Sequence, residues 1–356
     1  MPWLCVGPLA QRYIKGYIYP RPSGAITAMD HLFFSFKSVM HSKSAFLLIV
    51  VAVSTTAMVH GHPAASTPAA RFWEQALSGT PMPEVLADFV QKGIDLSPLV
   101  EHYSAQPSIG MCTLFNTICD VRTVAETGIF FHEAELHPGS TMTLSFPAEA
   151  ETAILPHDVA GKVPFENLRD VLSTFHISPG SAEAAQVEDT LRKCQQPPIS
   201  GEMKACTMSL ESTVKAAMEM LGTTIQQGGG DGDVWAATST LPRGGLLPRR
   251  EYIVEEVTKI EGTGYVACHK VPFPYAVFHC HIAHTGYIGY KVTLHGRGDD
   301  EGPVVSLLAF CHFDTSRWNP AHPAFQILKT HPGASTSVCH FMSYGNLAFV
   351  KKARTA

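Results

Sequence analysis

Charge is scarce in this chain of 356 residues: Asp, Glu, Lys and Arg make up 16%, and their balance is a formal net charge of -5. Without a cationic excess to neutralise a phosphate backbone, no nucleic-acid partner is expected. The nine cysteines, at positions 5, 112, 119, 194, 206, 268, 280, 311 and 339, never stand two to four residues apart, which removes the ligand spacing of a structural zinc site. No N-x-S/T sequon and no internal repeat occurs. The apolar run from Ala45 to Val53 is nine residues long, against the roughly 20 needed to cross a bilayer, so no stable membrane anchor is expected. The glycine run at 228 to 230 in QQGGGDGD has no strand before it and no GK[ST] after it. It is a flexible loop and not a phosphate cradle.

What the chain does have is apolar mass and two unusual residue counts. Hydrophobic residues reach 45%, enough for a folded chain of one or two domains, and eighteen histidines accompany the nine cysteines. From Met40 the sequence MHSKSAFLLIVVAVSTTAMVHGHP has a short cationic flank, an apolar run and a small polar stretch, the plan of a secretory signal. The expected organisation is therefore an upstream extension at 1–39, with translation starting at Met29 or Met40, and a signal peptide at 40–61. A linker and variable segment at 62–127 and one domain at 128–352 complete it. Removal of Cys5 with the extension leaves eight cysteines, the even number suited to a bridged, extracellular chain.

Within the domain the expected class is α+β, mainly β in the C-terminal half with a few short helices. GIFFHEAELHPGSTMTLSFP, with Met142, Leu144 and Phe146 at period two, predicts a β-hairpin. A short helix is expected near Val85 to Val90. Ser181 and Ser209 are placed to N-cap two further helices, the first carrying Ala184, Val187, Leu191 and Cys194 on one face. The proline-rich loop CQQPPISGEMKAC joins the pair and invites a Cys194–Cys206 bridge, worth roughly 3 kcal/mol in a chain-entropy account. YKVTLHG and PVVSLLAF face each other across the turn GRGDDEG, whose RGD at 297 to 299 reads as a solvated hairpin tip.

Four cysteines of the last hundred residues are each followed by histidine: Cys268-His269, Cys280-His281, Cys311-His312 and Cys339-His340. Their contexts, GYVACHKV, AVFHCHIA, LLAFCHFD and TSVCHFM, are strand-like. Adjacent residues of a strand leave opposite faces, so each dipeptide sends sulfur one way and imidazole the other. Cysteines are expected on one side of a small sheet and imidazoles on the other. His279 shares a face with His281 and adds a nitrogen to that set. One such histidine alone would be a half-buried residue satisfied by a backbone carbonyl. Four in register, with His279, make His269, His281, His312, His340 and His279 candidate metal ligands. Neutral imidazoles in an oxidising compartment favour copper or zinc, with copper heading the affinity order. The cysteines could instead serve as thiolate ligands, but the export signal points to disulfides among Cys112, Cys119, Cys194, Cys206, Cys268, Cys280, Cys311 and Cys339.

The intervals of ten, twenty-nine and twenty-six residues between these dipeptides resemble the signature of the plant BURP-domain family, with a lengthened hairpin tip in the second interval. FFHEAELHPGSTMTLSFP, CQQPPISGEMKACTMSLESTV, CHFDTSRWNPAHPAFQILKTHPGASTSVCHF and the upstream RFWEQALSGTPMPEVL are similar to segments of that family, whereas the tail YGNLAFV departs from its usual ending. The resemblance implies a single disulfide-stabilised BURP domain in a secreted plant protein of the apoplast or cell wall, acting in reproductive or seed development or in stress responses. It implies copper as cofactor, held by the histidines of the four pairs, with His322 of WNPAHPAF as a further polar residue typical of the family. Partners would be a peptide or a cell-wall polysaccharide or protein. Some members are copper-dependent cyclases that crosslink Tyr or Trp of a core peptide in the same precursor. Here the stretch between Gln91 and Gly128 is short and carries a single residue of that type, Tyr103, so a separate peptide is the more suitable substrate of the alternative, enzymatic reading.

Overall fold

A computed structural model describes residues 67–95, 103, 120–225, 233–283, 286–298 and 304–353. The expected extension and signal, the linker up to residue 66, Cys112, Cys119, the glycine run and Asp299 of the RGD tripeptide lie outside the described residues. In chain order the elements are α1 (Pro68–Ala76), α2 (Glu84–Asp95), α3 (Val121–Thr127), β1 (Phe130–Phe131), β2 (Thr141–Phe146), α4 (His157–Ala160), α5 (Leu168–Thr174) and α6 (Ala182–Gln195). There follow β3 (Glu202–Thr207), α7 (Leu210–Met220), β4 (Val234–Ala237), β5 (Leu247–Lys259), β6 (Gly264–Val271) and β7 (Val277–Ala283). The chain continues through β8 (Tyr287–Gly296), β9 (Val304–His312), α8 (Pro323–Ile327), β10 (Val338–Phe341) and β11 (Leu347–Lys351). The α+β class holds, with strands dominating the C-terminal half.

Two antiparallel sheets carry the fold, a six-stranded one in the order β1-β10-β9-β8-β5-β2 and a five-stranded one in the order β3-β7-β6-β11-β4. The alternation of side chains along each strand divides the interior into layers. Val266 and Cys268 of β6 join Leu347, Phe349 and the helix residues Trp73, Leu86, Phe89, Val214 and Ala217 in one cluster. The intervening residues Tyr265 and Ala267 meet Leu308, Phe310, Ala348 and Val350, which is the seam between the two sheets. On the far side, Leu307, Ala309 and Cys311 of β9 pack with Leu144, Val292, Val124 of α3 and Phe325 of α8. The layers are helix, sheet, sheet, helix, and each fully buried Leu or Phe contributes about 1.5–3 kcal/mol of transfer free energy.

Local chemistry explains the helices. Ser181 accepts the amide of Ala184 at 3.1 Å and so starts α6. Ser209 accepts the amide of Ser212 at 3.2 Å while Ser212 accepts that of Ser209 at 3.1 Å, a reciprocal cap on α7. Helices α1 and α2 fall in the segment read as linker and variable, yet they bury Trp73, Leu86 and Phe89 against the five-stranded sheet. The indole of Trp73 donates to the carbonyl of Thr80 at 2.9 Å, which ties the α1–α2 connection to its own helix.

Two expectations are corrected. Residues 128 to 146 do not close a hairpin: β1 pairs with β10, β2 pairs with β5, and the two strands sit at opposite edges of the same sheet. The period-two pattern identified the buried face of β2, Met142, Leu144 and Phe146. The Pro-Gly turn, however, is engaged elsewhere, with Gly139 donating to the carbonyl of Val254 at 2.8 Å and Val254 donating to that of Ser140 at 2.9 Å. The loop between α6 and α7 likewise contains a strand, β3, whose Cys206 lies across from His279 on β7. The β8–β9 hairpin forms as read, with Tyr290 across from Ala309 and His295 across from Val304.

Candidate metal centre

All four Cys-His pairs lie on strands, and the register sets their partners. Cys268 stands across from Cys280 on β6 and β7, and Cys311 across from Cys339 on β9 and β10. Both pairs are disulfides with 3.9 Å between Cα atoms, and Cys194–Cys206 forms a third at 5.6 Å. The expectation of one small sheet with sulfur on one face needs correction. Each sheet carries its own sulfur pair, turned outward into its helix-side core. The imidazoles of both sheets turn inward and meet at one end of the seam, because the next residue of each dipeptide leaves the opposite face.

There His269 stacks on His281 with ring centroids 5.5 Å apart, and His281 lies 5.9 Å from His279. His312 stacks on His340 at 5.5 Å, and the two groups join through His269 and His340 at 5.8 Å. His269, His279, His312 and His340 are buried, and the Nε2 atoms of His269 and His281 are enclosed with no hydrogen-bond partner among the described residues. Nε2 of His312 faces Nε2 of His340 at 3.4 Å. Burial first, and then mutual repulsion between neighbouring imidazoles, holds His269 and His312 well below the ordinary histidine range. His279 is pushed the same way, and burial takes His281 and His340 down to about 4. The five rings are thus neutral at physiological pH, the form in which imidazole offers a lone pair to a metal.

Surrounding groups orient these rings. Nδ1 of His340 donates to the carbonyl of Phe341 at 3.2 Å, which leaves its Nε2 as the lone-pair nitrogen. Nδ1 of His269 meets the side-chain amide of Asn346 at 3.5 Å, and Asn346 in turn accepts the backbone amide of Lys270 at 2.9 Å. Asn346 is delivered by a tight approach of the chain: Gly345 has φ 76°, and a Cβ there would meet the Phe89 ring at 2.7 Å. Tyr287 stacks against His312 at 5.4 Å. Next to the cluster lies a cavity of about 260 Å³ lined by His279, His281, His312, His340, Trp318, His322 and the Lys193, Glu202 and Lys204 side chains.

Trp318 forms a wall of this cavity, its ring centroid 4.9 Å from those of both His312 and His322. Its position at the head of WNPAHPAF, four residues before His322, was the available signal. His322 itself caps α8, with Nδ1 accepting the amide of Ala324 at 3.3 Å. Asn346, Tyr287 and the buried Lys270–Glu149 pair at 3.6 Å had no local signature.

Among the described residues no group of three or more His, Cys, Asp or Glu side chains stands ready to hold a metal ion. What fits a metal is the donor chemistry: neutral, buried imidazoles, two with unpartnered nitrogens and two with nitrogens in contact. The sulfurs are bridged and so do not serve as thiolate ligands.

Comparison with known proteins bears on the family of the chain. The BURP domain matches residues 129–351. BURP domain-containing protein 13 of Oryza sativa subsp. japonica is 41% identical over 74% of this chain and 62% of its own length. Protein RAFTIN 1A of Triticum aestivum is 42% identical over 63% of this chain and 56% of its own, and BURP domain protein RD22 of Arabidopsis thaliana is 34% identical over 60% and 53%. The chain thus spans less than two thirds of the length of these relatives. Three disulfides are compatible with an exported protein, and among the described residues no helix is long and apolar enough to cross a membrane. With the family match covering well over half of its residues, the chain belongs to the plant BURP-domain family.

Proposed function

We propose that this chain is a secreted BURP-domain protein of the apoplast or cell wall that binds copper through its inward-facing imidazoles and acts in reproductive or seed development or stress responses. The observation that carries the reading is the meeting of His269, His279, His281, His312 and His340 in one buried, neutral cluster. A buried polar nitrogen without a partner is costly, and a metal ligand bond is one way to satisfy it. Binding requires the rings to turn toward a common point, which the cavity beside His281, His312 and His340 leaves room for.

The test is titration of metal-stripped, disulfide-intact protein with Cu(II), followed by electron paramagnetic resonance. Saturable uptake with nitrogen hyperfine structure is expected, and it should be lost in His281→Ala and His340→Gln. Copper stoichiometry unchanged in both variants, or no uptake by the parent protein, would overturn the reading.

A second reading, oxidative crosslinking of Tyr or Trp in a peptide, is favoured by the cavity itself. Copper, when bound, would supply one-electron oxidation of a phenol or indole. Trp318 and His322 form a wall against which an aromatic side chain can lie, and Lys193 and Lys204 line the same space. Copper and oxygen supplied with a Tyr- or Trp-containing peptide should then remove two hydrogens, read as a mass shift. No mass shift at any copper loading leaves the binding reading alone standing.

A further inference from the structure

The third disulfide, Cys194–Cys206, lies outside the Cys-His pairs, and its position gives it another task. Cys194 stands in the last turn of α6 and Cys206 on β3, with 5.6 Å between their Cα atoms. Lys193 directly precedes the first cysteine, and Lys204 shares a strand face with the second. The bridge therefore holds two half-buried lysines together at the edge of the cavity lined by Trp318 and His322. Nζ of Lys204 donates to the carbonyl of Lys193, which leaves its remaining protons for another acceptor. Burial first, and then the charge of Lys193, lowers Lys204 from the ordinary lysine value. Burial also lowers Lys193, against the pull of Asp189 and with the push of Arg192. Asp189 and Arg192 are ion-paired to each other and cancel. After burial and the neighbouring His281 ring, the two lysines push His279 down, so their field reaches the imidazole end of the cavity. Among the described residues of the lining, Glu202 is the one carboxylate set against these two ammonium groups.

We propose that this cavity is a recognition pocket for an aromatic residue with an adjacent carboxylate, the ring lying on Trp318 and His322 and the carboxylate between Lys193 and Lys204. Like charges held together in a half-buried wall repel, and a carboxylate between them relieves the repulsion while accepting charge-assisted hydrogen bonds. Pro197, Pro198 and Ile199 add apolar surface to the lining, and the rings of Trp318 and His322, 4.9 Å apart, offer an aromatic surface. About 260 Å³ is room for a single residue and not for a folded partner. Cys194–Cys206 then acts as the staple that keeps the two cations at one spacing. This assignment names the ligand class of the crosslinking reading and rests on it for any reaction, but the binding it asserts needs no metal.

The test is isothermal titration calorimetry of metal-free, disulfide-intact protein. N-acetyltyrosine should bind saturably and weaken as salt is raised. N-acetyltyrosinamide, which lacks the carboxylate, should bind about tenfold more weakly or worse. N-acetyl-Asp-Tyr-amide separates the two sources of the carboxylate: binding like that of the acid assigns it to a neighbouring acidic side chain, and binding like that of the amide assigns it to a chain terminus. Lys193→Gln and Lys204→Gln should each cost the acid about tenfold and leave the amide unchanged. Trp318→Leu should weaken acid and amide alike and keep the ratio between them. Cys194→Ala/Cys206→Ala should reduce the preference for the acid. Equal affinities for acid and amide, or a preference unchanged in both lysine variants, overturn the proposal. So does binding of oligogalacturonate with none of N-acetyltyrosine, which would make the lysines a site for an acidic sugar. If copper and oxygen produce no crosslink while the acid still binds, the crosslinking reading fails and the pocket assignment stands.

Discussion

Replacement of Lys270 by methionine tests the energetics beneath the site. Lys270 follows His269 on β6 and points into the helix-side core, where Nζ lies 3.6 Å from Glu149, with side-chain exposures of 6% and 5%. Nζ also donates to the carbonyl of Ala150 at 2.6 Å and sits over the rings of Phe89 at 5.2 Å and Tyr344 at 5.8 Å. Burial pushes Lys270 down and Glu149 up by more than their mutual attraction restores. The pair is therefore costly to break and not costly to replace. Lys270→Met keeps the apolar stem but leaves Glu149 buried without its cation, a loss of about 3–5 kcal/mol.

The sign of the pH dependence follows from Glu149, which without Lys270 is raised further. A folded carboxyl that holds its proton more tightly than the unfolded one gives stability that is full at acid pH. That stability is lost as the pH rises from the ordinary carboxylate range through the raised folded value. Urea unfolding of disulfide-intact protein should therefore show a larger deficit for Lys270→Met at pH 8 than at pH 5, and Glu149→Leu/Lys270→Met should recover most of it. A deficit under about 1 kcal/mol, or one equal at both pH values, refutes the reasoning.

Acid sensitivity should report the imidazole cluster. Unfolded histidines take up protons below about pH 6.5, whereas His281 and His340 resist until about 4 when folded. Metal-free protein should thus lose stability as the pH falls from 6.5, by up to about 1.4 kcal/mol per pH unit per imidazole. A urea midpoint unchanged between pH 7 and pH 5 would contradict the buried, neutral cluster. The bridges are separable in the same assay. Cys311→Ala/Cys339→Ala, which opens a bridge with a sequence separation of 28, should cost about 3–4 kcal/mol and copper uptake together. Cys194→Ala/Cys206→Ala, with a separation of 12, should cost about 3 kcal/mol and leave the imidazole cluster in place.

What could be read from the sequence follows the range of the forces involved. The caps at Ser181 and Ser209, the period-two face of β2 and the β8–β9 hairpin are local, and each could be read within a window of a few residues. The Cys-His dipeptide was legible for the same reason, since opposite faces for adjacent strand residues need no partner strand. The partners themselves were not. That β1 pairs with β10 more than two hundred residues away, and that the imidazoles come from two sheets, depend on pairings that no local pattern specifies. Asn346 and Glu149 were missed because an Asn after a glycine and a Glu in PAEAE look like solvated residues until the seam closes over them.

The two cross-strand bridges have a consequence for the order of maturation. A strand that slips by one residue against its neighbour exchanges its faces, which here would turn thiols into the seam and imidazoles into the helix-side cores. Cys268–Cys280 and Cys311–Cys339 join residues that stand directly across from one another, so once oxidised neither pair of strands can shift. Oxidation is then an assembly checkpoint. The reduced chain can sample pairings in which sulfur competes for soft metals, and the bridged chain presents nitrogen alone. On the copper reading, bridging has to precede metal uptake, because a chain that has never met an oxidant has no fixed imidazole cluster to fill.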